Sequence, residues 1–203
     1  MMKHIDLMLE RYPALEFCRE QIEEAVKAIV EMHSRAGTLL ICGNGGSAAD
    51  CEHISGELLK GFLKKRPLNA DQAAGLPEDI AAKLQGGIRA IPLTSLSALG
   101  TAFLNDVDPE LIYAQLVYAF GTENCVFLGL STSGNAKNVC AAAKVARAKG
   151  MKTISMTGEH GGMLAELCDV AIKVPESETY KVQELHLPVY HAICAEVEEI
   201  IFG

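Results

Sequence analysis

Apolar residues recur along this chain in two alternating patterns, short continuous runs and longer stretches with helical spacing. The continuous runs predict five strands: Thr38–Cys42, Ile88–Leu93, Cys125–Leu130, Lys152–Met156 and Val170–Val174. Helical spacing predicts helices over Ala48–Lys60, Pro109–Phe120, Ala136–Lys149, Met163–Leu167 and Thr179–Ile201. Strands buried on both faces have continuous apolar runs, so this alternation predicts an α/β fold with a doubly wound, five-stranded parallel sheet flanked by helices.

The first 36 residues predict helices that precede this sheet. Ile22, Val26 and Ile29 share one face of a helix that Gly37 ends, and Pro13 separates it from a shorter helix before it. The apolar face can pack on the chain's own sheet or between subunits, and periodicity does not distinguish the two. At 203 residues, the chain has the length of one domain, which we place at 1–203.

Residues 62–87 interrupt the alternation of strands and helices. The segment is too long for a plain connection, and we interpret it as an insertion. Pro77 and the acidic residues after it predict the start of a short helix that ends at Gly86 and Gly87. Two interpretations remain open: a lid or subunit contact, and a solvated surface insertion.

Charge and composition narrow the possible partners. The net charge is −8 and the one basic cluster is Lys64-Lys65-Arg66, so direct binding of nucleic acid is not expected. Neither a membrane-length apolar run nor a secretory signal is present, which predicts a cytoplasmic protein that is not in the membrane. The seven cysteines include no Cys-x-x-Cys pair, so we expect small buried residues in a reducing compartment.

Two glycine- and hydroxyl-rich loops each follow a predicted strand and precede a helix. The first loop, residues 43–47, reads GNGGS, and its glycines allow a ligand to approach the backbone; a tight turn also requires glycine. The second loop, residues 131–135, reads STSGN, and its hydroxyls and N–H groups suit a phosphate dianion. Ser133 or Asn135 could instead cap the following helix. Ligands of doubly wound sheets bind beyond the strands' carboxyl ends, where both loops are expected.

Two helices carry side chains suited to proton transfer or metal binding. His53 and Glu57 are four residues apart, on one face of a helix, where they can chelate a divalent metal or exchange protons. A hydrogen-bonded pair on a solvated helix face is the simpler interpretation. Gln183 and His191 are eight residues apart on the last helix and project in similar directions. His186 is a further inward-facing candidate, and Pro188 predicts a local kink.

These residues together resemble the phosphoheptose isomerases, a branch of the sugar isomerase (SIS) domain family. The matching segments run in order along nearly the whole chain: CGNGGSAADCEHISGEL at 42–58, LND at 104–106, LSTSGNAKNV at 130–139, MTGEHGG at 156–162 and VQELHLPVYH at 182–191. The resemblance implies a parallel five-stranded sheet of flavodoxin-like order in a homotetramer with active sites at subunit interfaces. It also implies conversion of sedoheptulose 7-phosphate to D-glycero-D-manno-heptose 7-phosphate, the first step towards activated heptose.

The resemblance also implies roles for individual residues. Ser131, Thr132 and Ser133 would hold the phosphate of a phosphorylated sugar. The remaining substrate contacts would come from Asn44, Gly45, Gly46, Ser47, Glu57, Asn105, Asp106 and Gln183. Glu57 and His191 would be the catalytic proton-transfer pair. One zinc ion per subunit would be bound by His53, Glu57, Gln183 and His191.

Three features depart from the family pattern and keep other functions open. Ala136 replaces a usual hydroxyl, Tyr180 replaces an acidic residue of some members, and the 62–87 insertion is longer than the usual connection. An isomerase for another phosphosugar is therefore one alternative. The other is a non-catalytic family member, such as the regulator that binds the bacterial replication initiator or a sugar-phosphate sensor. The presence of both Glu57 and His191 favours catalysis.

Overall fold

The computed structural model of the chain describes residues 2–203 and contains a parallel sheet of five strands. The strands are β1 (Leu39–Cys42), β2 (Ala90–Pro92), β3 (Val126–Leu130), β4 (Lys152–Thr157) and β5 (Val170–Lys173). Their order is β2-β1-β3-β4-β5, and every neighbouring pair is parallel. The predicted doubly wound sheet of flavodoxin-like order is confirmed, with every strand end within two residues of its predicted position.

Ten α-helices lie within residues 2–203, two before the sheet and the others between or after its strands. They are α1 (Lys3–Arg11), α2 (Arg19–Ser34), α3 (Gly46–Leu59), α4 (Ala70–Ala73), α5 (Glu78–Ala81), α6 (Ser97–Asp106), α7 (Ile112–Phe120), α8 (Lys137–Ala148), α9 (Gly162–Leu167) and α10 (Thr179–Phe202). Short 3-10 helices cover Pro13–Cys18, Leu93–Ser95 and Pro109–Leu111. None of the helices in this part of the chain has the length and apolar character to cross a membrane.

Helices cover both faces of the sheet because successive strand residues point to opposite sides. In β1, Leu39 and Ile41 join one buried cluster with α1, α2, α3 and α10. Leu40 and Cys42 join a second cluster with α7, α8 and α9 on the other face. Burial on both faces explains why the strand sequences have continuous apolar runs.

The amino-terminal helices pack on the chain's own core. Leu9, Ile22 and Val26 are buried in the cluster that contains the inner face of α10, whereas Leu7 is exposed. The main apolar face of α1 and α2 is therefore satisfied within one chain. The cysteines also agree with prediction: all seven are free, and all except the partly buried Cys168 are buried.

Outside the 62–87 insertion, two segments differ from the predictions. Helix α6 was not predicted, because none of its residues is buried and its sequence has no apolar stripe. The helix predicted over Pro109–Phe120 divides into a 3-10 turn and α7, since Asp108 accepts a hydrogen bond from the N–H of Glu110 and caps that turn.

The 62–87 insertion is closed at its base and exposed beyond it. Pro67 bridges Gln85, and the N–H of Gly86 donates to the carbonyl of Arg66 at 2.7 Å. The predicted helix after Pro77 is present as α5 but ends at Ala81, short of the two glycines. An Asn69–Gln72 capping box starts α4, which was not predicted.

Candidate active site

The candidate site lies at the carboxyl ends of β1 and β3, where the strand order reverses. β1 leads into the first loop and β3 into the second, and the two strands are hydrogen-bonded neighbours. Connections from these strands leave towards opposite edges of the sheet, which opens a crevice between the two loops.

Close backbone packing explains the glycines of the first loop. Gly45 has a φ of +56°, in the region that favours glycine. A Cβ on Gly43 would lie 2.8 Å from the carbonyl oxygen of Ser47, and one on Gly46 would lie 2.6 Å from Nε2 of Gln183 on α10. The loop therefore lies directly against α10, which a simple turn from β1 to α3 would not require.

Hydrogen bonds tie the first loop to the far side of the crevice. The side-chain amides of Asn44 and Asn138, on α8, bond reciprocally at 2.9 Å. The hydroxyl of Tyr113 donates to the carbonyl of Gly43 at 2.7 Å. Neither Asn138 nor Tyr113 was singled out from the sequence; Asn138 ties the first loop to α8, and Tyr113 ties it to α7.

The second loop is held by its own backbone and by the loop after β4. The N–H of Gly134 donates to the carbonyl of Ser131, and the N–H of Gly158 donates to that of Thr132, both at 2.9 Å. A Cβ on Gly134 would lie 1.9 Å from the carbonyl oxygen of Gly161, so the two loops pack backbone to backbone. Because its shape is fixed by main-chain contacts, the second loop is organised without a ligand.

Neither Ser133 nor Asn135 caps α8. The N-cap residue is Ala136, and no side-chain cap bond is present at this end, which lies inside the described residues. The Ser133 hydroxyl accepts instead from the N–H of Asn135, at 3.2 Å. The capping alternative is therefore wrong, and Thr132 and Ser133 both line the crevice between the two loops.

The two loops and the first turns of α10 enclose a cavity of about 340 Å³. Its walls include eight residues predicted to contact substrate: Asn44, Gly45, Gly46, Ser47, Ser131, Thr132, Ser133 and Gln183. Thr179 also lines the cavity and was missed, although it precedes Gln183 by one helical turn. The walls offer hydroxyls, an amide and backbone N–H groups, which are the donors that bind a phosphate.

A second group of side chains lies further along the same two helices. His53 Nε2 is 3.4 Å from Oε1 of Glu57 and 3.4 Å from Nε2 of His191. The hydroxyl of Tyr190 is 3.0 Å from His53 Nδ1 and bonds Asp50 at 3.2 Å, so the His53 ring is held from its other edge. The helical rise puts His53 about 10 Å beyond Gly46.

Burial and neighbouring charge alter the proton affinity of this group. Burial, followed by the nearby His53, lowers the pKa of His191, while Glu57 partly offsets them. Burial also raises the pKa of Asp50, against its hydrogen bond from Tyr190. A neutral imidazole at His191 can accept as well as donate a proton near neutral pH.

The donor chemistry of this group suits zinc, but the donors are not arranged as a complete zinc site. Two imidazoles and one carboxylate form the donor set of many catalytic zinc centres, and the two 3.4 Å separations match the spacing of about 3.3 Å between tetrahedral zinc ligands. However, no group of three potential ligands within residues 2–203 has the geometry to bind a metal ion. Oε2 of Glu57 faces Lys60 at 2.6 Å.

The remaining predicted residues lie elsewhere. Asn105 and Asp106 are exposed at the end of α6, where their side chains bond each other at 2.8 Å, and neither lines the cavity within one chain. His186 is directed into the core and is fully buried. α10 continues unbroken through Pro188.

Comparison with known proteins agrees with this geometry. SIS domain family models match residues 13–85 and 98–195. The curated phosphoheptose isomerase of Aneurinibacillus thermoaerophilus is 38% identical over 181 residues, which cover 89% of this chain and 82% of that protein. The chain belongs to the phosphoheptose isomerase branch of the SIS domain family.

Solved structures support the same assignment within the SIS domain family. The phosphoheptose isomerase from Neisseria gonorrhoeae superposes with a TM-score of 0.78 at 29% identity, covering 97% of this chain and 96% of that one. The phosphoheptose isomerase from Francisella tularensis gives 0.79 at 28% identity, covering 93% and 91%. The family and fold inferred from the sequence resemblance are therefore confirmed.

Proposed function

We propose that this protein isomerises sedoheptulose 7-phosphate to D-glycero-D-manno-heptose 7-phosphate. Membership in a branch whose curated relatives and solved structures are named phosphoheptose isomerases supports a phosphosugar isomerase. The observation that carries the proposal is the pair of sites along α3 and α10, a donor-lined cavity beside Gly46 and Gln183 and a His–Glu–His group further along both helices.

The cavity binds the phosphate in this proposal. Ser131, Thr132 and Ser133 donate hydroxyl hydrogen bonds, and the positive ends of the α3 and α8 dipoles both point to the crevice. Gln183 and Asn44 contact the sugar hydroxyls nearest the phosphate. The chain's net charge of −8 does not oppose this, because a phosphate in such a cavity interacts with nearby N–H and O–H dipoles.

The His–Glu–His group performs the proton transfer. An aldose–ketose exchange removes a proton from one carbon and returns one to its neighbour through an enediol. We assign the carbon-bound proton to the Glu57 carboxylate and the proton exchange between the two substrate oxygens to His191. An open-chain sugar phosphate carries its phosphate and its reacting carbons at opposite ends, which matches the separation of about 10 Å along α3.

Zinc is part of the proposal as a resident cofactor, one per subunit. His53, Glu57 and His191 would hold it, and when bound it would supply a Lewis acid for a substrate carbonyl. Gln183, the fourth ligand that the resemblance implies, lies beside Gly46 in the cavity instead and would have to approach the other three. Oε1 of Glu57, which faces His53, would be the oxygen that binds the metal, because Oε2 lies 2.6 Å from the Lys60 ammonium. The Tyr190 contact at His53 Nδ1 leaves Nε2 as the coordinating nitrogen.

We also propose a cytoplasmic homotetramer whose subunits complete each other's sites. Helix α6 supports this in two ways. Its apolar side chains Leu99 and Leu104 are exposed in the single chain. Asn105 and Asp106, at its end, lie outside the cavity of their own chain. Contact of Asn105 and Asp106 with the open-chain sugar then requires assembly. Sedimentation at working concentration measures the oligomeric state.

The test is an NMR time course of the purified protein with sedoheptulose 7-phosphate, with added zinc and with a chelator. The expected result is the appearance of a heptose 7-phosphate aldose, with a lower rate after chelation. Saturable binding without an aldose would contradict this substrate and indicate another phosphosugar or a sensor. Absence of both binding and product would contradict the isomerase and favour a protein-binding role.

A further inference from the structure

Arg66, at the base of the 62–87 insertion, is a buried cation that the reaction proposed above does not use. Its side chain is fully buried, and its Nε atom lies 2.7 Å from Oε1 of Glu198 on α10, whose side chain is also fully buried. The guanidinium lies over the ring of Phe202 at 4.7 Å. A charge removed from water in this way is costly unless all its hydrogen-bonding groups are used, so its partners indicate its role.

The remaining donors of Arg66 bind the carboxyl-terminal end of α3. Nη1 donates to the carbonyl of Leu58 at 2.7 Å, and Nη2 donates to the carbonyl of Glu57 at 3.3 Å. The last four carbonyls of a helix have no partner within the helix, and α3 ends at Leu59. The N–H of Ile88 also donates to the Leu58 carbonyl, at 2.9 Å, and Arg66 adds two side-chain bonds at the same turn, which carries Glu57.

Glu198 fixes the position of Arg66 from the opposite side. Its carboxylate accepts hydrogen bonds from the backbone N–H groups of Phe62, Leu63 and Lys64 at 2.7–3.0 Å. Burial alone would raise the pKa of Glu198, but these N–H groups and Arg66 outweigh it and lower the pKa. Glu198 therefore remains ionised, and its helix also carries His191 two turns earlier.

We propose that Arg66 is a positioning residue that holds the last turn of α3 against α10 and thereby sets Glu57 in place for proton transfer. The first part of the insertion is then a clamp between the two helices that carry the proton-transfer pair. This inference rests on the function proposed for Glu57 but not on the identity of the sugar.

Arg66→Lys tests this, because one ammonium keeps the charge opposite Glu198 but cannot also bind both carbonyls of α3. Arg147→Lys is the matched control. Arg147 donates to the carbonyl of Leu167, the last residue of α9, at 2.9 Å. Its substitution therefore removes the same kind of helix-end bond, but at a helix that does not carry Glu57. Both variants are assayed for turnover, binding of inorganic phosphate, and deuterium uptake of the amides of residues 57–60.

The expected result is a fall in kcat on the order of 10- to 100-fold in Arg66→Lys, because a displaced catalytic group loses its alignment. KM and phosphate affinity stay within about twofold, since the cavity at the other end of α3 is unchanged. Deuterium uptake at 57–60 rises in Arg66→Lys and not in Arg147→Lys.

An unchanged kcat, or equal losses in both variants, would overturn the inference. So would a fall in phosphate affinity as large as that in kcat, because this would indicate general loosening of the fold. If the wild-type protein does not turn over sedoheptulose 7-phosphate, the proposed function fails, and deuterium uptake alone decides the inference. Unchanged uptake in Arg66→Lys would then overturn it.

Discussion

The cavity and the His–Glu–His group are built from the same two helices but by different means. The second loop of the cavity is shaped by main-chain contacts, including the approach of Gly134 to Gly161. The proton-transfer group instead depends on side chains, with His53 3.4 Å from both Glu57 and His191. Backbone contacts can form a phosphate site before substrate arrives, whereas side chains can adjust to a metal or substrate. Binding and chemistry should therefore be separable by mutation.

The largest expected effect is on chemistry alone. Glu57→Gln removes the proposed base with little change of volume, and turnover should fall by about 10²–10⁴-fold while inorganic phosphate still binds. The NMR assay and calorimetry measure the two quantities. Glu31→Gln is the control, because Glu31 pairs with Arg35, the C-cap residue of α2, just as Glu57 pairs with Lys60, the C-cap residue of α3. Loss of phosphate binding in Glu57→Gln would show that the two sites are not separable.

The next largest effect is on phosphate binding, and it tests the close backbone contact between the second loop and Gly161. Gly134→Ala combines a positive φ of +68° with a Cβ 1.9 Å from the carbonyl oxygen of Gly161, so phosphate affinity should fall at least about tenfold. Gly75→Ala is the matched control, since Gly75 has a φ of +79° with nothing within 4 Å of its Cβ. Equal phosphate affinity in the two variants would contradict the assignment of the cavity.

A pH effect on stability should arise from His186, which lies on α10 between the two regions. Burial lowers the pKa of His186 to about 4, and the backbone of Thr157 offsets this only in part, without meeting hydrogen-bond geometry to either ring nitrogen. Between the usual pKa near 6.5 and about 4, the unfolded chain binds a proton that the folded chain excludes. Stability should therefore fall as the pH falls through this range, by about 3 kcal/mol.

His186→Leu is expected to flatten this dependence, as measured by urea unfolding at several pH values. The substitution also separates stability from chemistry, because His186 lies in the core between Gln183 and His191 without being assigned to either site. The same slope in the variant and the wild type would show that other groups control the acid range.

The smallest effect tests a single hydroxyl of the cavity. Ser133→Ala should weaken phosphate binding by about tenfold, the lower end of the value of one hydrogen bond to a charged group, with kcat nearly unchanged. Ser34→Ala is the control, since Ser34 bonds the carbonyl of Glu31 at the end of α2. Calorimetry with inorganic phosphate measures both variants. An unchanged affinity in Ser133→Ala would remove that hydroxyl from the site.

The sequence predicts the sheet well because each strand is a continuous apolar run, and glycines mark where two strands end. The cavity could be predicted for the same reason, as the loops follow β1 and β3 directly. Helix α6 could not be predicted, because none of its residues is buried and a pattern of burial is what periodicity detects.

The supporting contacts of the site could not be predicted either. The Asn44–Asn138 pair joins residues 94 positions apart, and the Arg66–Glu198 pair joins residues 132 positions apart. Arg66 was grouped with Lys64 and Lys65 as a basic cluster from the sequence, but its side chain is buried and paired with Glu198. A single sequence does not indicate which distant residue a charged side chain pairs with.

The most direct test of the account is the isomerisation of sedoheptulose 7-phosphate by the wild-type protein in D₂O, followed by NMR. The account predicts heptose 7-phosphate that carries deuterium at C2, because Glu57 exchanges its proton with solvent during the enediol stage. Absence of the aldose would contradict the proposed function. An aldose that retains the substrate's hydrogen throughout and is formed equally fast by Glu57→Gln would contradict proton transfer by Glu57.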